Sequence, residues 1–247
     1  MSKIIIVRHH EGETNDTAST HLADGNYQIE HWYPFKEAAK ETAIVIPPDL
    51  ADVSGAIVMG GAQNVTELSE LPYLQTEIDW ILKCIEKDLP VIGICLGAQL
   101  LAHALGGKVA THRDGICEFG YEPVHGVDVT PKGASNQNWL TGTMYMAQAH
   151  FQGFTLPPDC TLLATGDSFP CQSFMYKHNV FAFQFHPELH HAMFIAWQNS
   201  DWKDEFYATP GAQPASQQFA DNDKYNQIQT TWFINFLDKI FPPCKPA

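Results

Sequence analysis

Short aliphatic runs alternate with amphipathic stretches along most of this chain. Lys3-Ile-Ile-Ile-Val7 is apolar at four consecutive positions, the pattern of a strand buried on both faces of a parallel sheet. Residues 15–30 are expected to hold a short helix and a loop, and the alternation over 27–32 predicts a second strand. Pro47-Pro48-Asp49 breaks the chain before a third strand at 55–59. Leu74, Ile78, Ile81, Leu82 and Ile85 then recur at helical spacing through 73–87, a crossover helix that feeds a short apolar strand at 91–94. Apolar residues at Leu100, Leu101, Ala104 and Leu105 continue as a helix stopped by Gly106-Gly107.

From 108 onward the pattern shortens. Strands are expected at 108–112, 119–124 and 127–130, a loop at 131–135, and a brief helical turn at 138–140. Further strands at 143–150, 160–164, 173–176 and 180–185 complete a mixed sheet. The tail predicts a helix at 192–198, an irregular polar stretch at 208–218, and a second helix with Ile228, Trp232, Phe233, Phe236, Leu237 and Ile240 on one packing face. The elements describe an α/β chain: a central, mostly parallel mixed sheet flanked by helices, with a C-terminal helical extension. One domain over 1–247 is expected, its core about 3–189 and the extension about 190–247.

Composition narrows what such a chain does. With 247 residues and 45% hydrophobic content it can bury a sizeable core, and no apolar run approaches the eighteen or so residues of a membrane span. No segment near Met1 has the shape of a signal peptide, so a cytoplasmic protein is expected. The net charge of −14, from 28 acids and 14 bases, argues against nucleic acid or anionic membrane as a partner. Cys84, Cys95, Cys117, Cys160, Cys171 and Cys244 show no metal-ligand spacing, and the doublets His9-His10 and His190-His191 chelate poorly because neighbouring side chains diverge. No metal is expected.

One stretch carries chemistry: Gly93-Ile-Cys95-Leu96-Gly97 lies where the strand gives way to the helix. Glycines two before and two after a nucleophile let the chain reverse sharply, as in the nucleophile elbow, here with cysteine. A sulfur at a helix N-terminus is favoured as thiolate by the dipole and the unpaired N–H groups. A second stretch, Phe185-His186-Pro187-Glu188, places an imidazole and a carboxylate two positions apart at the end of an expected strand, where Glu188 can orient His186 as base for a nucleophile. Gly60-Gly61, at a third strand end, lets backbone N–H groups approach a ligand closely.

Val58-Met-Gly60-Gly61, Gly93-Ile-Cys95-Leu-Gly97-Ala-Gln99 and Gln184-Phe-His186-Pro187-Glu188, in this order, resemble the class I (triad) glutamine amidotransferase superfamily. The likeness runs over about 3–189 and is strongest to stand-alone domains similar to the glutaminase part of GMP synthetase. It implies a flavodoxin-like fold and a Cys95–His186–Glu188 triad brought together by folding. It also implies an oxyanion hole from the N–H groups of Gly61 and Leu96, and a substrate pocket that includes Gly60, Gln99, His150, Phe151 and Gln152. The implied reaction is release of ammonia from glutamine through a cysteinyl thioester, without a cofactor, for an acceptor held by a synthase partner. Two departures stand out: Ala62 replaces the family proline after the glycine pair, and Gln148-Ala-His150-Phe151-Gln152 replaces the usual His-x-His-Gly-Asp.

Other readings remain open. A γ-glutamyl peptidase or hydrolase would use the same triad on an amide with a larger leaving group. A non-catalytic interaction module would keep the fold alone. Arg8-His9-His10-Glu11-Gly12-Glu13-Thr14 superficially resembles the Arg-His-Gly-Glu-Thr signature of histidine phosphatases, but that chemistry needs glycine directly after the nucleophilic histidine. The plainer reading is a loop at the carboxyl edge of the sheet, where ligands sit in open α/β folds.

Overall fold

The computed structural model describes residues 2–12, 14–40, 44–128 and 140–243. The first half alternates strand and helix: β1 (Lys3–Val7), α1 (Thr17–Asp24), β2 (Gln28–Trp32), α2 (Pro34–Ala38), β3 (Val53–Val58), α3 (Tyr73–Glu86), β4 (Val91–Ile94) and α4 (Leu96–Ala104). Strands then dominate, with β5 (Val109–Thr111), β6 (Glu118–Gly126), β7 (Thr143–His150), β8 (Gln152–Phe154), β9 (Cys160–Gly166), β10 (Ser173–Tyr176) and β11 (Val180–Phe183). Three helices follow: α5 (His191–Gln198), α6 (Lys203–Tyr207) and α7 (Ala215–Ile240).

Nine strands form one sheet in the order β2-β1-β3-β4-β11-β10-β9-β6-β7. The first five run parallel and the rest antiparallel. Strand periodicity divides the side chains between two cores. Ile5, Val7 and Val91 pack with α3 and α4 on one face, while Ile4, Ile6, Ile92 and Ile94 pack with α1 and α7 on the other. That is why these strands read as continuous aliphatic runs: both faces are covered. Each such side chain, fully buried, contributes about 1.5–3 kcal/mol.

Helix ends follow local chemistry. Asp16 caps α1 by accepting from the Ser19 N–H at 3.0 Å, and Gly106, at φ 89°, lets the chain leave α4.

Several expectations need correction. The strand expected at 108–112 is the three-residue β5, which pairs with β8 in a separate two-stranded sheet instead of joining the main one. Val127 and Asp128 are irregular, and the rest of the strand expected at 127–130 lies outside the described residues, as do the loop at 131–135, residues 138 and 139 of the expected turn, and Cys244. The strand expected to reach 185 ends at Phe183.

The largest difference is in the tail. α7 begins at Ala215, inside the stretch expected to be irregular, because its first half buries polar instead of apolar side chains. Gln218 donates to the carbonyl of Phe119 at 3.2 Å, Asn222 to the hydroxyl of Tyr121 at 2.8 Å, and Asn226 to the carbonyl of Leu189 at 2.8 Å. Its second half packs as expected through Phe233, Phe236 and Leu237, whereas Ile228 is 56% exposed and lies off that face.

Candidate active site

The carboxyl ends of three adjacent parallel strands build the site. β4 lies between β3 and β11, with Gly93 opposite Val58 and Ile94 opposite Phe183. Chain leaving these strands therefore emerges at one edge, where open α/β sheets hold ligands.

Cys95 follows β4 at φ 50° and ψ −108°, and α4 starts at the next residue. A side chain rarely adopts this backbone, and the surroundings enforce it. A Cβ on Gly97 would stand 2.0 Å from the carbonyl oxygen of Val58, and one on Gly93 would stand 2.5 Å from that of Gly97. The two glycines let α4 press onto β3 and β4 tightly enough to turn the chain at Cys95. Leu96, as the first residue of α4, has an N–H without an intrahelical acceptor.

His186 and Glu188 come from the chain beyond β11, held by a turn and not by extended backbone. The Leu189 N–H donates to the His186 carbonyl at 3.3 Å, with Pro187 at the second turn position, where its fixed φ fits. The turn folds Glu188 back so that its Oε1 lies 2.8 Å from His186 Nδ1. Gly60 closes the third side, since a Cβ there would stand 2.8 Å from His186 Cε1 and 3.4 Å from Cys95 Cβ. Cys95, His186, Glu188 and Gly60 are thus brought together.

Electrostatics tie this group together. Burial alone would lower the pKa of His186, but the charge of Glu188 and the nearby sulfur of Cys95 outweigh it and raise it to about 10. His186 Nε2 is buried and makes no hydrogen bond of normal geometry among the described residues. Cys95 is 5% exposed, and its sulfur lies 3.7 Å from the Ala149 carbonyl and 3.8 Å from Gln184 Nε2. Trp197 of α5 stands edge-on to the His186 ring, centroids 4.9 Å apart, and covers it.

The remaining expected pocket residues are engaged within the protein. Gln99 donates to the Gln152 carbonyl at 2.9 Å and to Gln184 Oε1 at 3.3 Å. Gln152 donates to Thr66 at 2.9 Å, and both ring nitrogens of His150 face oxygens, of Glu118 and of the Gln152 backbone. Phe151 stacks on Phe206 of α6 at 4.1 Å. Gly61 lies against His9, whose Cβ a side chain at Gly61 would meet at 2.4 Å.

Other residues shape the site without having been singled out for it. Gln229 of α7 accepts from the Ala147 N–H at 2.7 Å and donates to the His186 carbonyl at 3.0 Å. His9 meets both oxygens of Glu77 through Nε2 at 3.0 Å, and its Nδ1 lies 3.3 Å from the Gly60 carbonyl oxygen. Arg8 turns the other way, to Ser19, Asp16 and His31, so Arg8 and His9 do not share one cradle. No local pattern flags Gln229, and His9 drew attention only through the His9-His10 doublet and the phosphatase-like run Arg8–Thr14.

A sharp strand-to-helix turn carrying cysteine, with a histidine–carboxylate pair just beyond the neighbouring strand, gathers the residue types of a nucleophile–base–orienter group at one edge of a doubly covered sheet. The model of the family Glutamine amidotransferase class-I matches residues 20–194, and the chain belongs to that family. Among curated relatives, it is 31% identical over 180 residues to a subunit of the glutamine-hydrolyzing GMP synthase of Thermoplasma volcanium, covering 69% of this chain and 82% of that one. It is 32% identical over 144 residues to a glutamine amidotransferase-like protein of Acanthamoeba polyphaga mimivirus, covering 57% of this chain and 60% of the relative. Of the glutamine-hydrolyzing GMP synthase of a Janthinobacterium species it spans only 29%, at 31% identity over 60% of this chain. The fold matches the crystal structure of a glutamine amidotransferase from Thermotoga maritima with a TM-score of 0.80, at 23% identity and coverage of 96% of this chain and 97% of that one. Among the described residues no helix is long and apolar enough to cross a membrane.

Proposed function

We propose that the chain hydrolyses the side-chain carboxamide of glutamine through a thioester on Cys95. The observation that carries this reading is the convergence at adjacent strand ends of Cys95 at φ 50°, His186 packed with it against Gly60, and Glu188 at 2.8 Å behind the ring.

In the reaction, the Cys95 sulfur attacks the carboxamide carbon, and the carbonyl oxygen takes up the charge. The N–H groups of Leu96 and Gly61 hold that oxyanion. His186, whose raised pKa keeps a proton on the ring at neutral pH, gives it to the departing nitrogen, so that ammonia leaves and a thioester forms. The ring then takes a proton from water. The resulting hydroxide adds to the thioester, and collapse expels the sulfur and frees glutamate. Glu188 keeps the imidazole aligned and stabilises its charged form throughout.

The ammonia acceptor is proposed to belong to a partner, a reading supported by a relative whose name describes a subunit of GMP synthase. Ammonia release from glutamine, measured with Cys95→Ser as control, tests the reaction. Loss in the variant with unchanged circular dichroism is the expected result, and retained release would remove Cys95 from the mechanism.

A γ-glutamyl amide with a larger leaving group is the second reading. It is favoured by the aromatic surface beside the site, where Phe151 stacks on Phe206 and Trp202 next to it is 42% exposed. Turnover of γ-glutamyl dipeptides above that of free glutamine would select it.

A further inference from the structure

The stretch after β1 that drew attention as a histidine motif has a different use in the fold. His9 is 3% exposed, yet each of its ring nitrogens faces an oxygen: Nε2 faces both carboxylate oxygens of Glu77 at 3.0 Å, and Nδ1 faces the Gly60 carbonyl at 3.3 Å. Glu77 is wholly buried on α3. Filling this space with apolar side chains would serve stability as well as a buried ionic pair does, so packing alone gives no reason for the pair. What the pair does do is fix one peptide plane.

That plane is the Gly60–Gly61 peptide. It is trans, so its C=O and N–H point in opposite directions. Turning the Gly60 carbonyl toward His9 turns the Gly61 N–H away from His9, and His186 and Cys95 stand directly against Gly60, 2.8 and 3.4 Å from where its Cβ would be. Two glycines in a row would otherwise let this peptide rotate with little resistance. The loop is tied to His9 twice more: Gln63 donates to the His9 carbonyl at 3.2 Å, and Gly61 packs directly on the His9 Cβ.

We propose that His9, held by Glu77, is a positioning residue that aims the Gly61 N–H at the oxyanion formed when Cys95 attacks. This rests on the glutaminase reading of the site. The protonation of the ring agrees with the role: burial pushes the His9 pKa down, but the charge and hydrogen bond of Glu77 and the neighbouring backbone carbonyls outweigh it and raise it, which favours a proton on both nitrogens. Nδ1 is then a donor, as the contact with Gly60 requires.

The test compares two reagents on Cys95, followed by mass spectrometry of the intact chain. 6-Diazo-5-oxo-L-norleucine presents a glutamine-like carbonyl and draws on the oxyanion donors, whereas iodoacetamide alkylates any reactive thiol without them. In His9→Ala, labelling by the diazo ketone is expected to slow by up to about 100- to 1,000-fold, the range for losing one oxyanion donor, with the iodoacetamide rate within a few-fold of wild type. His9→Asn, whose amide nitrogen takes the place of Nδ1, should recover most of the loss. Should His9→Ala not fold, the double change of His9→Leu with Glu77→Leu, which leaves no unpaired buried carboxylate, takes its place with the same expectation.

Equal diazo-ketone rates in wild type and variants would overturn the proposal. So would a parallel fall with both reagents that Asn does not rescue, since that reports a structural role. A wild-type chain that reacts with iodoacetamide but not with the diazo ketone would instead overturn the glutaminase reading, and the His9 role with it.

Discussion

His186 and Glu188 meet at 2.8 Å between Nδ1 and Oε1 across a turn built around Pro187, so imidazole and carboxylate are delivered by one short piece of chain. The carboxylate fixes which ring nitrogen carries the inward proton. Glu188→Gln keeps the shape but presents either a neutral acceptor or an amide donor that forces the other tautomer. Ammonia release is expected to fall roughly 100- to 10,000-fold with little change in KM, by analogy with carboxylate loss in hydrolase triads. Steady-state kinetics on glutamine check this, and unchanged kcat would remove Glu188 from its role as orienter.

The same pair makes stability depend on pH. The His186 pKa is about 10 when folded against an ordinary 6.5, so the folded chain keeps a proton that the unfolded chain releases between these values. The resulting stabilisation is complete below about pH 6.5 and is lost as pH rises toward 10. Glu188→Gln removes the first of the upward influences, so its melting temperature should decline less steeply over this window. Thermal melts of both forms from pH 6 to 10 decide the matter, and identical slopes would show that Glu188 does not hold the proton.

Much of the parallel half of the fold was legible because its strands are covered on both faces and its helices carry apolar stripes. Ile4–Val7, the α3 stripe and the elbow glycines report their surroundings directly. The residue types of the candidate site were legible too, but not their separations. What stayed hidden has a common cause: polar side chains whose partners are distant in sequence. The N-terminal half of α7 buries Gln218, Asn222 and Asn226 against backbone and hydroxyl groups about a hundred or fewer positions away, so it reads as a loop. His9 finds Glu77 across 68 positions, and no local pattern marks that pairing. β8 has three residues, too few for any periodicity.

The elbow makes a sharp demand on Gly97. A methyl group there would fall 2.0 Å from the Val58 carbonyl oxygen and 2.9 Å from the Val58 Cβ, and neither can move without shifting β3. Gly97→Ala is expected to destabilise by about 1–3 kcal/mol or more, as overpacking does, and to displace Cys95 from its turn. Chemical denaturation together with iodoacetamide reactivity at Cys95 measures both effects. A variant as stable as wild type would mean that α4 does not press on β3 as described.

Gln229 links α7 to the turn that presents His186. Its Oε1 accepts from the Ala147 N–H at 2.7 Å, while its Nε2 donates to the carbonyls of His186 and Leu189 at 3.0 and 3.2 Å, all in a fully buried position. Gln229→Ala takes the acceptor from the buried Ala147 N–H and one of the donors from the His186 and Leu189 carbonyls, a loss of about 1–3 kcal/mol, and frees the turn that presents His186. Gln229→Glu is the sharper test because it has the same shape. As a carboxylate it would face two carbonyl oxygens, so it should be held protonated and its folded pKa raised above the usual carboxylate range. A raised folded pKa gives stability that is retained at low pH and lost as pH rises. Gln229→Glu should therefore melt close to wild type at pH 5 and well below it at pH 8, with ammonia release reduced in parallel. Equal melting temperatures at both pH values would mean that α7 merely covers the sheet and does not hold His186 in place.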